Sequence, residues 1–428
     1  MSLTREETTE LAAAPTRVAE APPAPPALWR NRDYMLLWSG QVVSTLGSTA
    51  SGIVFPLLIL AITNSPTAAG IAGALTTIPY VLFSLPAGAL IDRWDRKRVM
   101  ILCDTGRAIN MASIPAALAL DSLTIWQIYV VAFIEGTLFV FFNIAEVAAL
   151  PRVVPKSQIP EATAQNQAAF GVAGIAGPPI GTFLYASLGR MAPFLADAVS
   201  YLVSVASLYS IKTRFQTERP QPAADRHLGR EIMEGLRWLW RQPVVLFMAF
   251  NAGVTNLVLS SIALVLIVLA RRMGAPDGAI GAIFSLGSVG AILGSLAGGR
   301  ILRRFTFGQI VIWGSWLQAL LYPLYALAPN ILALGAISAG IFVIVPVASV
   351  AILSYRASLI PDELQGRVNS SVRLIAFGFQ PLVSFLAGFI IEHFGVMAAV
   401  AAFSACLLAL AIAITLNGNI RRARVDHG

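Results

Sequence analysis

From about residue 30 onward the chain alternates between long apolar runs and short polar breaks. A helix needs about 20 apolar residues to cross roughly 30 Å of hydrocarbon. Twelve segments reach that length, roughly 34–62, 69–91, 99–120, 125–147, 166–187, 192–211, 244–269, 279–301, 308–328, 331–353, 370–391 and 396–416. One longer break, 212–243, separates the sixth run from the seventh. It opens polar, with Pro220 and Pro222, then sets Leu228, Ile232, Leu236 and Leu239 or Trp240 at helical spacing with charges between them. That spacing predicts an amphipathic helix, lying on the membrane surface or packed on neighbouring loops.

The two sides of this break repeat each other. Leu28-Trp29-Arg30 precedes the first run and Leu239-Trp240-Arg241 the seventh. The second run is entered after Pro66 and ends Ala87-Gly88; the eighth is entered after Pro276 and ends Ala297-Gly298. Arg93 then aligns with Arg303, but Asp92 with Leu302. The predicted fold is an all-α membrane protein of twelve transmembrane helices in two pseudo-symmetric six-helix bundles, 28–211 and 244–416. A linker, 212–243, joins them, and the expected tails are 1–27, disordered, and 417–428. The first tail lacks the apolar core and cleavage site of a signal peptide.

Charge orients these spans. Only 12% of residues are charged and 57% are hydrophobic, against about 25% and 45–50% in soluble domains. With both termini inside, every Lys and Arg falls in the tails or on the cytoplasmic side except five. Arg190, Arg271 and Arg272 lie outside, and Arg107 and Arg373 lie within spans. The net charge of +8 is therefore a topology signal and not a nucleic-acid surface. The expected location is the cell (inner or plasma) membrane, multi-pass, with both termini cytoplasmic.

Several chemistries have no residues to rest on. Cys103 and Cys406 both sit within spans, and His227, His393 and His427 form no cluster, so neither a disulfide framework nor a metal site is expected. No P-loop, G-x-S-x-G elbow or H-E-x-x-H helix occurs. The chain is expected to be no enzyme, to need no cofactor and to use no ATP directly.

Six spans, a cytoplasmic loop and six related spans resemble the major facilitator superfamily. Gly88-Ala-Leu-Ile-Asp92-Arg93-Trp-Asp95-Arg96-Lys97 is similar to its signature between spans two and three, with Asp95 where a Gly is typical. That variant, with Asp104-x-x-Arg107, Leu150-Pro151, Asp197-x-x-Ser200-Tyr201 and Ile360-Pro361-Asp362-Glu363-Leu364-Gln365-Gly366-Arg367-Val368, resembles the macrolide-efflux and siderophore-exporter branch. Gly177-Pro178-Pro179 with Gly181 resembles the G-P-x-x-G-G motif of drug–proton antiporters, with Thr182 replacing the last Gly. Small residues there let helices approach, and the prolines free carbonyls that a neighbour must satisfy.

Ionisable groups inside the membrane are costly and point to function. Glu135 is closest to a span midpoint and is the preferred proton carrier; Asp104, Arg107 and Asp197 are further proton-coupling candidates, each with a purely structural alternative. The gate is read at the hairpin Gly88, Asp92, Arg93, Arg96 and Lys97. There Asp92 faces the N-terminus of span eleven or Arg373, and Arg96 reaches Glu146. Gln41, Asn143, Asn251 and Asn256, in the spans nearest the cavity in that fold, are substrate-cavity candidates, with Phe139, Phe141, Phe142 and Phe250 as aromatic neighbours.

The expected function is alternating-access export of a small amphiphilic compound by proton antiport. Siderophore export, lysophospholipid transport and nutrient uptake stay open as alternatives. A non-transport receptor is disfavoured by tails too short for a domain. Substrate, protons and the lipid bilayer are the expected partners, with no nucleic acid, and the expected state is a monomer.

Overall fold

A computed structural model describes residues 27–91, 93–216, 237–360, 368, 372 and 378–422. Asp92, Arg373, the 1–26 tail and the amphipathic part of the linker before Arg237 lie outside the described residues. Among the described residues, twelve long helices follow one another: α1 (Arg32–Thr63), α2 (Pro66–Ile91), α3 (Arg96–Ala119), α4 (Ile125–Val153), α5 (Ile159–Leu188) and α6 (Ala192–Ser210) in the first half. The second half holds α7 (Pro243–Arg272), α8 (Asp277–Arg304), α9 (Phe307–Leu321), α10 (Ile331–Leu359), α11 (Gln380–Phe394) and α12 (Val396–Leu416), and a short α13 (Gly418–Arg422) ends the described chain. No strand occurs among the described residues.

Ten of these helices are long and apolar enough to cross a membrane. The other two expected spans correspond to α3, whose apolar stretch is interrupted by Asp104, Arg107 and Asn110, and to α11, described from Gln380. The ninth span tightens into a 3-10 turn at Tyr322–Leu327. Pro323 explains this, because it has no N–H for the helical ladder. Side-chain caps start several helices: Asn31 on α1, Asp95 on α3, Thr124 on α4, Thr306 on α9 and Asn330 on α10. Asp95 accepts from the Arg98 N–H at 2.9 Å, so the residue that departs from the family's hairpin pattern serves as the N-cap of α3.

The two repeats behave alike where sequence aligned them. Leu28 and Leu239 are both fully buried, while Trp29 and Trp240 next to them are exposed. Across the halves, α2 packs on α11 and α5 on α8. Glycine permits the first of these contacts from both sides: a Cβ at Gly70 would lie 2.5 Å from the Ser384 carbonyl oxygen, and one at Gly388 2.3 Å from that of Pro66.

The core divides unevenly along the helices. One apolar cluster holds Leu57, Phe194, Val265, Ile283 and Ile391, joining both halves at the end opposite the termini. At the terminal end the halves have separate clusters, one around Met100, Phe142 and Phe215, the others around Phe307 and Ile414 and around Leu239 and Ile360. Among the described residues, the molecule is closed at one end and its apolar core parts between the halves at the other.

Candidate functional site

Between the halves lies a cavity of about 360 Å³, lined by residues of α1, α2, α3, α4, α6, α7 and α11. Its apolar wall includes Phe55, Met111 and Phe139; Ser260 of α7 and Gln380 and Ser384 of α11 come from the second half. A second cavity of about 390 Å³ shares Thr76, Thr77, Gly136, Phe139 and Gln380 with the first. It adds Tyr80, Asn143, Gln167 and Phe170, nearer the terminal end, so the two form one path toward the open side.

One charged cluster borders this path. Asp104 and Arg107 are one turn apart on α3 and share a face. Yet Arg107 pairs more closely with Glu135 of α4 than with its own neighbour: its guanidinium stands 2.7 Å from Glu135 Oε1 and 3.5 Å from Asp104 Oδ1. Tyr201 of α6 donates its hydroxyl to the same Glu135 Oε1 at 2.7 Å and lays its ring 4.1 Å from the Arg107 guanidinium carbon. Ser48 of α1 lies 2.7 Å from the Tyr201 hydroxyl and accepts from Arg107 at 3.4 Å. The Phe139 ring lies 5.6 Å from the same guanidinium carbon, so the cation is held by two carboxylates, two aromatic faces and one hydroxyl, as a buried guanidinium requires.

Glu135 Oε2, by contrast, is buried and has no hydrogen-bond partner. Leaving a buried acceptor unpaired costs on the order of 1–3 kcal/mol. Asp104 Oδ2 is likewise buried without a hydrogen-bond partner, but of the two acids only Glu135 lines the cavity, so its free oxygen is the one within reach of a proton, a water or a cargo group there. Asp197 is fully buried beside the cluster, where Ser51 donates to Oδ2 at 2.5 Å and Ser200 to Oδ1 at 3.3 Å. A Cβ at Gly47 of α1 would lie 2.3 Å from Ser200 Oγ, so this glycine makes room for the Asp197 pocket.

The four proton-coupling candidates are therefore brought together. Sequence reasoning assigned no role to three partners: Tyr201, named only within the Asp197-x-x-Ser200-Tyr201 pattern, and Ser48 and Ser51, which are ordinary residues in an apolar span until α1 and α3 are seen packed on α6. The substrate-cavity candidates are split instead. Asn143 lines the central path, whereas Asn251 and Asn256 line a separate polar cavity of about 100 Å³ with Gln318. Gln41 is engaged elsewhere, donating to Glu146 Oε2 at 2.6 Å. Among the aromatic neighbours, Phe139 faces both central cavities, Phe141 stacks on Trp94, Phe142 is core and Phe250 is exposed.

The expected pairing of Arg96 with Glu146 is replaced by another. Arg96 reaches α4 but donates to the Ala148 carbonyl at 2.7 Å. Two residues turn a helix by roughly 200°, so Glu146 faces α1 while the Ala148 position faces α3. Lys97 ties α3 to the end of α6, donating to the Ile211 carbonyl at 2.6 Å. Arg93 is exposed in the turn, and nothing crowds Gly88.

Two glycines of α5, Gly177 and Gly181, are steric requirements. A Cβ at Gly177 would fall 2.1 Å from Thr49 Oγ1 and one at Gly181 2.0 Å from the Ala50 carbonyl oxygen. Pro178 lines a small cavity of about 110 Å³ against α8. Thr182, the departure from the antiporter pattern, is matched on α8 by Gly281, where a Cβ would sit 2.4 Å from Thr182 Oγ1.

A family model described as Major Facilitator Superfamily matches residues 37–378. The chain is 25% identical over 394 residues to the multidrug efflux pump Tap of Mycolicibacterium fortuitum, covering 88% of this chain and 94% of that one. It is 26% identical over 225 residues to macrolide efflux protein A of Streptococcus pyogenes, covering 53% and 55%. Among solved structures, a bacterial homologue of the iron transporter ferroportin in an inward-facing state aligns with a TM-score of 0.68 at 15% identity, over 90% of this chain and all (100%) of that chain.

Proposed function

The chain belongs to the Major Facilitator Superfamily, and from that membership we propose that this membrane transporter exports small amphiphilic compounds by proton antiport. It is a transporter and not an enzyme. The observation that carries the antiport reading is the Arg107–Glu135 pair on the cavity wall, with one Glu135 oxygen paired and the other free.

The cycle follows from the charges. With Glu135 ionised, Arg107 is drawn to α4 and the pair is neutral. A proton on the free oxygen removes that attraction and leaves Asp104 as the nearest counter-charge for Arg107. Since α1, α3, α4 and α6 all contribute to the cluster, a change in it is felt by the packing of the whole first half. Thr76, Thr77 and Asn143 offer neutral hydrogen bonds beside an aromatic wall, which suits a compound with one apolar body and a few polar groups.

The distribution of Lys and Arg supports placing the termini in the cytoplasm, and the open end is then the inward one. One proton entering across 100 mV contributes about 2.3 kcal/mol of electrical work. The test is a panel of cationic and neutral amphiphiles, whose accumulation is measured in cells with and without the transporter and before and after an uncoupler. Antiport predicts lower accumulation that the uncoupler abolishes; efflux that survives collapse of the proton gradient excludes it.

A further inference from the structure

At the closed end, a carboxylate from one half sits on the start of a helix from the other. Glu392 lies in the last turn of α11, and its Oε2 accepts from Ser65 Oγ at 2.5 Å and from the Thr67 N–H at 2.8 Å. Ser65 Oγ in turn accepts from the Ala68 N–H at 3.0 Å. The acid therefore meets the first turn of α2, where backbone N–H groups lack helical partners and the dipole is positive. Arg271 also crosses this end, donating to the Leu57 carbonyl at 3.3 Å, a longer bond to a neutral group.

The position of Glu392 links this contact to the cavity. Gln380, Ser384, Gly388 and Glu392 recur every four residues, so they form one face of α11. The first two line the central cavity. Gly388 is where the backbones of α2 and α11 touch, and Glu392 comes one turn beyond it. Cavity wall, pivot and acid lie in that order on a single helix face, opposite Thr77, Gly73 and Gly70 on α2 and Ser65 just before it. A rotation of α11 about the glycine contact that draws its cavity end toward α2 lifts its far end away.

We infer that Glu392 is a gating residue, holding the closed end shut through the N-terminus of α2 and releasing it when the transporter opens on that side. The inference rests on the alternating-access reading above. Exposure of the side chain fits the role, because water can replace both donors when the contact breaks.

The test reads conformation without cargo or a gradient, so its outcome is separable from that of the export assay. Full-length protein with a Cys406→Ala background carries spin labels at Ser122→Cys and Ala326→Cys, exposed positions on opposite halves at this end. Distances are measured by pulsed electron resonance in nanodiscs of phosphatidylethanolamine and phosphatidylglycerol. Glu392→Ala is expected to raise the population of longer distances roughly tenfold. Ser65→Ala, which removes a donor without touching α11, should shift it the same way by less, and adding Ser65→Ala to Glu392→Ala should add almost nothing. An unchanged distribution in both single variants overturns the inference, as does full additivity.

Discussion

Ser288 of α8 donates its hydroxyl to the carbonyl of Ile175 on α5 at 2.6 Å, joining the two halves. That carbonyl is available because the residue four positions on, Pro179, has no N–H to give it. A proline in one half thus creates the acceptor for a serine in the other. Ser288→Ala should lower stability by about 1 kcal/mol, the net worth of such a bond. Pro179→Ala should make the serine redundant, so that the two changes are non-additive in a thermal-stability cycle.

The glycines of α5 separate into crowded and open positions. Gly181→Ala places a methyl against the Ala50 backbone and should cost about 1–3 kcal/mol through forced helix separation. Gly171→Ala and Gly174→Ala meet nothing within 4 Å and should be neutral or slightly stabilising. Melting followed by size-exclusion fluorescence distinguishes them.

Glu146 is buried, and Gln41 supplies a hydrogen bond to it. Gln41→Leu should cost about 1–3 kcal/mol by stranding that acceptor, and Glu146→Leu in the same chain should recover most of the loss. The same stability cycle measures the coupling.

Arg107 and its partners give an asymmetric expectation. Glu135→Gln leaves Asp104 to neutralise the guanidinium and should keep the fold. Asp104→Asn combined with Glu135→Gln removes both carboxylates that contact the cation and should lower stability by about 3–5 kcal/mol, the usual cost of an uncompensated buried charge. Yield and melting temperature of the purified variants report the difference.

Much of this was legible before any coordinates. Apolar run length gave the spans, since it follows from the cost of polar groups in hydrocarbon. Asp104 and Arg107 are readable as neighbours because one helical turn sets them together. The tighter pair, Arg107 with Glu135, is not, because 28 residues and the packing of α3 on α4 separate them. Asn251 and Asn256 misled for a related reason: their helix is one of those nearest the cavity in this fold, but the face they occupy looks into the second half and not between the halves. Thr182 and Asp95 read as departures from family patterns. They make sense only beside Gly281, which provides the space, and the Arg98 N–H, which needs the acceptor.

The central claim is that the free oxygen of Glu135 carries the coupled proton. The most direct measurement uses everted membrane vesicles loaded by an imposed acid-inside gradient, with ethidium uptake followed by fluorescence and gradient-free ethidium counterflow as the control. The account predicts that Glu135→Gln abolishes gradient-driven uptake and keeps counterflow. Gradient-driven uptake retained at the wild-type rate in Glu135→Gln would contradict it.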